Sequence, residues 1–253
     1  MSVKTIKIAI AGVGTVGQGF LDLLKTYNNP GLKIIISAIA SRRKKKFSGK
    51  IFKNTKIFKD AKEIINFNNY DILVELIGGE KGIAKEIIFN ALKKKKNVVT
   101  ANKALVSNHW SKINSFQKIE GSSLKYEAAV AGGIPIIKTI EEFLLSSKIK
   151  RIYGILNGTS NYILTNMLST DREFKDILLD AQKLGYAESD PTFDIDGTDS
   201  AQKLSILSSL AFSYNNKVKE IRNEGIQNIK LHDIKTAESL GYKIKLLGIT
   251  ELD

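Results

Sequence analysis

The chain has 253 residues, of which 43% are hydrophobic and 26% charged, so it can form one large domain or two smaller ones around a substantial core. It contains no cysteine and only two histidines, His109 and His232, which excludes disulfide bonds, thiolate metal sites and a cysteine nucleophile. Lys and Arg number 39 against 26 Asp and Glu, giving a formal net charge of +13.

No apolar stretch is long enough for a signal peptide or a membrane span, so we expect a soluble, cytoplasmic protein. Much of the positive charge lies in two runs, at 42–46 and 93–96. Such an excess suits nucleic acid, a membrane surface or an anionic small molecule, but also a solvated surface rich in lysine. Because neither run is interleaved with aromatic residues, we predict no nucleic-acid partner, and we predict no membrane partner.

The first half of the chain alternates apolar, β-branched segments with amphipathic ones. Strands buried on both faces of a parallel sheet are predicted at 4–11, 33–40, 71–77 and 97–100. Helices are predicted at 16–25 and 83–92, whereas the connection 41–69 is longer and less regular. This alternation predicts an α/β fold, a Rossmann-like doubly wound sheet.

From about residue 132 the pattern changes to closely spaced helices. These are predicted at 135–145, 161–167, 171–184, 198–212 and 234–240, with a strand at 152–156 and an apolar run at 242–250. We place a domain boundary near residues 131–135 and expect an α+β second domain.

A glycine-rich loop follows the first predicted strand and opens the first predicted helix. Gly12, Gly14 and Gly17 form G-x-G-x-x-G, in which the first glycine permits a tight turn, the second lets backbone approach a pyrophosphate, and the third lets helix and strand pack. The free N–H groups of a helix N-terminus then suit the anion. The alternative is a purely structural turn; in its strand–loop–helix context the motif favours dinucleotide binding.

The end of the second predicted strand bears on which dinucleotide binds. An NAD-specific site usually has an acid there, but this chain has Arg42 and Arg43. Either the two arginines hold a 2′-phosphate, or the basic run is a solvated loop, and the sequence leaves both open. We expect NADPH rather than NADH.

A cluster of acids stands out at 185–203 in this basic chain. An EF-hand frame fails, because Thr192 and Lys203 would occupy positions that need acids. Asp199 and Lys203, four residues apart on a predicted helix, share a face. They are either a surface salt bridge, or a functional pair in which Asp199 with Glu188 receives an ammonium group and Lys203 donates a proton.

Two polar segments follow predicted strands. Residues 157–161 are explained by a turn and a helix N-cap, although they could also shape a substrate pocket. Lys103 lies just after the strand at 97–100, at the edge where open α/β sheets bind ligands, and is a candidate active-site cation.

Together these segments resemble the homoserine dehydrogenase family. The matching segments are GVGTVGQG at 12–19, TANKALVS at 100–107, YEAAVAGGIPII at 126–137, NGTSNYIL at 157–164 and GYAESDPTFDIDGTDSAQKLSIL at 185–207. The resemblance covers nearly the whole chain, and the long acidic motif is far more specific than the glycine loop.

The resemblance implies reversible, NAD(P)H-dependent reduction of L-aspartate 4-semialdehyde to L-homoserine, on the route to threonine, methionine and isoleucine. It implies that Lys203 donates the proton to the aldehyde oxygen, that Glu188 and Asp199 hold the substrate's amino end, and that Lys103 lies beside nicotinamide and substrate. Thr15 and Val16 join Gly12, Gly14 and Gly17 in the cofactor loop.

The resemblance also implies a sodium ion and a homodimer. The sodium ligands would come from Glu127, Val130, Gly132 and Ile134, as one carboxylate and backbone carbonyls. Residues 1–133 would be the NAD(P)-binding domain, and 134–253 a substrate-binding and dimerisation domain. In the family the catalytic region continues past the equivalent of Asp253, so we expect a fragment, a truncated frame or a short form. The alternative function is a non-catalytic NADPH-binding protein.

Overall fold

The structure is a computed structural model that describes residues 3–42, 47–117 and 121–252. The chain divides into two compact units, Met1–Ile136 and Ile137–Asp253. Within the described ranges, no helix combines the length and the apolar character needed to cross a membrane.

The first unit is built on a parallel sheet. Its strands are β1 (Lys4–Ala11), β2 (Leu32–Ala40), β3 (Lys56–Phe58), β4 (Ile72–Glu75), β5 (Asn97–Thr100) and β6 (Leu124–Lys125). The strand order is β3-β2-β1-β4-β5-β6, and the order reverses between β1 and β4. This is the Rossmann topology predicted from the sequence, and ligands of such sheets bind at the carboxyl ends of the strands beside the reversal.

Helices connect the strands of the first unit. They are α1 (Thr15–Thr26), α2 (Glu63–Asn66), α3 (Ile83–Lys93), α4 (Lys103–Asn108) and α5 (Trp110–Gln117). Ile10 and Ile39 of the central strands are fully buried and pack in one cluster with Leu21 of α1. Each such side chain contributes about 1.5–3 kcal/mol by leaving water, which is why these apolar runs form the centre of the sheet.

The sequence did not indicate β3 or β6. β3 has three residues and lies within the irregular 41–69 connection, together with α2 and a 3-10 turn at Lys50–Phe52. β6 has two residues. Strands this short have too few positions to show a period of two.

The second unit is mainly helical. A short helix, α6 (Ile136–Lys138), begins at the last residue of the first unit. The further helices are α7 (Gly158–Thr170), α8 (Phe174–Lys183), α9 (Thr192–Ile195), α10 (Thr198–Ala211) and α11 (Leu231–Ser239). The strands β7 (Arg151–Gly154) and β8 (Gly248–Glu251) pair antiparallel, so the unit has the predicted α+β character. A core of α7, α8 and α11 side chains includes Ile163, Met167, Ile177 and Ile234.

Three predicted elements of the second unit are corrected. The helix predicted at 171–184 begins at Phe174, because Asp171 adopts a left-handed φ of 56° and ends α7. The helix predicted at 135–145 is α6 followed by a π-helical turn, Thr139–Phe143. Of the apolar run at 242–250, only its end joins a strand.

Candidate active site

The glycine loop connects β1 to α1. Gly12 has a φ of +98°, and a Cβ placed on it would lie 2.6 Å from the carbonyl oxygen of Leu76. A Cβ on Gly17 would overlap the carbonyl oxygen of Gly12. By contrast, Gly14 has open space on that side and is the N-cap of α1. Two glycines therefore serve packing, and the third leaves room in front of a helix N-terminus.

A crevice of about 670 Å³ lies in front of this loop, at the carboxyl ends of the strands. Gly12 and Gly14 form part of its wall, and Ile77 lines another part. Its cationic lining residues are Arg42, Lys59 and Lys62. One acid, Asp60, also lines the crevice, so the three cations leave its lining with a net positive charge. This charge and the position at the strand-order reversal both suit a phosphate-bearing dinucleotide.

Only some of the residues predicted to bind the cofactor line this crevice. Arg42 is exposed and lines it, whereas Arg43 lies outside the described residues. Thr15 and Val16 are exposed in the first turn of α1. Lys59 directly follows β3 and was missed, since a lysine in a lysine-rich segment carries no signal until the third strand is known.

A hydrogen-bond network fixes the turn that carries Lys103. Glu75, fully buried at the end of β4, accepts a 2.6 Å hydrogen bond from the Thr100 hydroxyl. The Thr100 oxygen accepts from the backbone N–H of Asn102, whose side chain caps α4 by accepting from Leu105 N at 3.0 Å. Lys103, half-buried, is the first residue of α4. Sequence reasoning missed Glu75, because the strand predicted at 71–77 placed it inside an apolar run, whereas β4 ends at this residue.

In the second unit, Lys203 and Asp199 form an ion pair on α10. Lys203 Nζ lies 2.6 Å from Asp199 Oδ2 and also donates to the carbonyl oxygen of Leu156 at 2.7 Å. The side chains are only 19% and 6% exposed. The shared helix face is thus confirmed, and the surface salt bridge considered above is wrong, because the pair is largely withdrawn from water.

The polar segment after β7 supports this ion pair. Asn157 caps α7 by accepting from Ser160 N at 2.7 Å, as its residue type predicted. Its amide nitrogen also donates to Asp194 Oδ1 at 2.7 Å and to Asp199 Oδ2 at 2.9 Å. Ser160 adds a bond to the carbonyl oxygen of Asp194. The uncharged turn therefore holds two acids of the 185–203 cluster in place.

Glu188 lies in the loop between α8 and α9, and its side chain is exposed. The loop is tied to α8 through its backbone, since Gln182 Nε2 donates to the carbonyl oxygens of Glu188 at 3.1 Å and Ser189 at 3.3 Å. A further cation lies near the start of α7. Lys245 donates to Asn161 Oδ1 at 2.8 Å and Thr165 Oγ1 at 2.7 Å, and burial lowers the pKa of its ammonium.

The four residues assigned to sodium lie close together in the chain, near the end of the first unit. Glu127 begins a 3-10 turn, and Val130 is fully buried in extended backbone. The turn then passes through Ala131, whose φ of 48° is unusual for a residue with a Cβ. Within the described ranges, no three His, Asp or Glu side chains cluster in a way that could hold a metal ion.

A six-stranded parallel sheet with this order, a glycine loop after β1 and a cationic crevice in front of it define a dinucleotide-binding protein of the Rossmann class. The family model described as the homoserine dehydrogenase NAD binding domain matches residues 12–127, and the model described as homoserine dehydrogenase matches residues 135–253. The chain belongs to the homoserine dehydrogenase family.

Individual relatives agree with this assignment. The homoserine dehydrogenase of Neisseria gonorrhoeae is 42% identical over 98% of this chain, and a crystal structure of the Thiobacillus denitrificans homoserine dehydrogenase is 41% identical with a TM-score of 0.89. The chain spans 58% of the length of each. A hyperthermophilic archaeal homoserine dehydrogenase in complex with NADPH is 25% identical, with a TM-score of 0.81; the match covers 98% of this chain and 79% of that one.

Proposed function

We propose that this chain carries homoserine dehydrogenase chemistry, the reversible NAD(P)H-dependent reduction of L-aspartate 4-semialdehyde to L-homoserine. The observation that carries the proposal is the buried Asp199–Lys203 pair, held by Asn157 and Leu156. A lysine ammonium kept in place, and largely out of water, is suited to proton transfer at a reacting oxygen. The family's pathway, leading to threonine, methionine and isoleucine, follows from this reaction.

The proposed cofactor is NADPH, with NADH as the alternative. The residues present fit a dinucleotide, since Gly14 leaves open space at the N-terminus of α1 and the crevice is lined by Arg42, Lys59 and Lys62. The solved archaeal relative holds NADPH, which supports the same preference here. When bound, the nicotinamide ring supplies the hydride that reduces the aldehyde carbon.

Lys203 has the role of proton donor. Its ammonium has three N–H groups, and its contacts with Asp199 and Leu156 use two of them. We assign the third to the substrate oxygen, where negative charge develops as the carbon is reduced. In the oxidising direction the same nitrogen accepts the hydroxyl proton. Lys103 is proposed to stabilise the developing charge electrostatically.

Asp199 and Glu188 are proposed to select the substrate's α-ammonium group. Asp199 Oδ2 accepts from both Lys203 and Asn157, so this carboxylate is fixed before substrate arrives. Glu188 is exposed in a loop that Gln182 ties to α8. An aldehyde that lacks the ammonium group should therefore be a poor substrate.

A sodium ion is proposed at Glu127, Val130, Gly132 and Ile134. One carboxylate and several carbonyls are hard oxygen ligands, which suit such a cation. The assignment is supported by Ala131, whose left-handed φ of 48° is costly for a residue with a Cβ and persists only where the surroundings require it. A homodimer through the second unit is likewise proposed from the family resemblance.

The experiment is NADPH oxidation with aspartate semialdehyde, measured on this chain and on a longer chain that adds the carboxyl-terminal sequence of a relative. Turnover that requires the α-amino group supports the assignment. The control is an aldehyde of the same length without that group. Tight NADPH binding with no turnover in either chain would instead favour the alternative, a non-catalytic NADPH-binding protein.

A further inference from the structure

The buried carboxylate of Glu75 links two loops at the carboxyl edge of the first unit's sheet. Its Oε1 accepts from the backbone N–H groups of Ile77 at 2.8 Å and Gly78 at 2.9 Å, in the loop between β4 and α3. Its Oε2 accepts from the Thr100 hydroxyl at 2.6 Å, at the end of β5. The residue is 0% exposed, so these bonds replace its water shell.

The network closes on itself through Asn102. Thr100 Oγ1 accepts from Asn102 N at 3.0 Å, and Asn102 Nδ2 donates at 2.8 Å to the carbonyl oxygen of Gly79 in the loop where the network began. Each loop therefore fixes the other. Because hydrogen bonds in such a circuit depend on one another, loss of one member loosens both loops.

Both loops bear on the proposed site. Leu76 and Ile77 line the crevice in front of the glycine loop, and the Leu76 carbonyl lies against Gly12. On the other side of the network, Asn102 caps the helix that begins with Lys103. The carboxylate is thus connected to one wall of the crevice and to the backbone from which Lys103 projects.

We propose that Glu75 is a positioning residue that couples the crevice wall to the Lys103 turn. The inference rests on the proposed function for its kinetic consequence, but the coupling itself is a property of the first unit. All three partners of Glu75 present a donor, and a deprotonated carboxylate offers only acceptors. A carboxamide of the same shape would replace the acceptor that faces Thr100 with an N–H donor, so the Thr100 hydroxyl would have no acceptor at this position.

The test compares Glu75→Gln with Thr100→Val and Thr100→Ser, and uses Glu86→Gln, an exposed glutamate on α3, as the matched control. Amide hydrogen exchange on the chain without cofactor comes first. Glu75→Gln and Thr100→Val should accelerate exchange at Gly78 and Asn102 together by about tenfold or more, since charged hydrogen bonds of this kind are worth that factor. Thr100→Ser keeps the hydroxyl and should restore protection.

Kinetics then separate positioning from simple loss of stability. Glu75→Gln should raise the NADPH dissociation constant and lower kcat by about tenfold each, and leave the KM for aspartate semialdehyde within about twofold. The proposed coupling is wrong if Glu75→Gln accelerates exchange only at Ile77 and Gly78. It is also wrong if Thr100→Val leaves exchange unchanged. If the unaltered chain fails to turn over, the proposed function fails, and exchange still decides the role of Glu75.

Discussion

The amide nitrogen of Asn157 lies 2.9 Å from Asp199 Oδ2, the same oxygen that accepts from Lys203. A neutral side chain at the start of α7 therefore shares an acceptor with the charged pair on α10. Because Asn157 is only 3% exposed, removing it would leave the acids without a donor that water could readily replace.

Asn157→Ala should destabilise the fold by about 3 kcal/mol, since it loses a helix cap and two bonds to carboxylates. Asn157→Ser keeps an oxygen that can cap α7 and should recover about 1 kcal/mol of that loss. Both variants should raise the KM for aspartate semialdehyde by about tenfold, because Asp199 keeps its bond from Lys203 but loses the one from Asn157 that helps to orient it. Urea unfolding and steady-state kinetics measure the two effects.

The exposed Asn28 provides the control, and Asn28→Ala should change neither quantity. If Asn157→Ser restored stability and KM together, the amide would serve only as a cap, contrary to the role given to it here.

Lys203→Ala should lower kcat by about 10²–10⁴-fold, the usual contribution of a positioned acid. NADPH binding should persist, because the crevice residues belong to the other unit. The control is Lys183→Ala on α8, whose side chain is 76% exposed. Near-normal turnover in Lys203→Ala would remove this lysine from the chemistry.

Alanine variants of the three loop glycines should lose either stability or cofactor binding, depending on the position. Gly12→Ala and Gly17→Ala meet backbone and should destabilise the fold by about 2–4 kcal/mol. Gly14→Ala meets nothing within 4 Å, so it should fold normally and raise the NADPH dissociation constant more than about tenfold. Thermal unfolding and NADPH fluorescence separate the two losses.

Gly19, exposed in α1 with open space around it, is the matched control for this series. Gly19→Ala should stabilise the helix by up to about 1 kcal/mol and leave cofactor binding unchanged. Unimpaired NADPH binding by Gly14→Ala would argue against a pyrophosphate at this helix N-terminus.

Cofactor preference should depend on the cations of the crevice. Arg42→Ala and Lys59→Ala should each raise the KM for NADPH by about tenfold and leave that for NADH nearly unchanged, because only NADPH carries the 2′-phosphate. Added salt should shrink the difference. The control is Lys53→Ala, at an exposed lysine that does not line the crevice, and it should leave the preference unchanged. Equal losses for NADPH and NADH would mean that Arg42 and Lys59 contact a part that the two cofactors share.

The pH dependence of stability should report on His109. Burial lowers the pKa of His109 below its ordinary value of 6.5, while Nε2 lies 3.1 Å from the carbonyl oxygen of Glu80. The unfolded chain therefore takes up the proton first as the pH falls. The neutral ring therefore contributes fully to the stability of the fold above pH 6.5. This contribution is lost as the pH falls from 6.5 through the lowered pKa of the folded state.

His109→Gln should accordingly flatten the fall in Tm between neutral and mildly acidic pH. His232, exposed on α11, provides the control, and His232→Gln should keep the slope of the unaltered chain. Identical slopes in all three proteins would assign the acid sensitivity to other groups.

Much of this fold follows from periodicity, because long buried strands leave a clear pattern. β1 and β5 have the predicted bounds, and the i,i+4 spacing of Asp199 and Lys203 correctly indicated a shared helix face. The short strand β3 left no such pattern. Because β3 was not predicted, the position of Lys59 at the crevice could not be predicted either.

Residues whose importance lies in their partners were harder to find. Glu75 ends an apolar strand, and its three donors come from its own loop and from the next strand, so only the folded sheet shows why an acid is buried there. The segment 157–161 was correctly attributed to a turn and a helix N-cap, but the bonds from Asn157 to Asp194 and Asp199 join segments about 40 residues apart. Sequence spacing does not encode such contacts.

The pairing of β7 with β8 sets the order in which the units can fold. Arg151 pairs with Glu251, about 100 positions later in the chain, whereas the first unit pairs strands that follow one another more closely. Closing so long a loop costs entropy before any contact repays it. During synthesis the Rossmann sheet can form early, while β7 must wait for β8 to emerge before it has this partner.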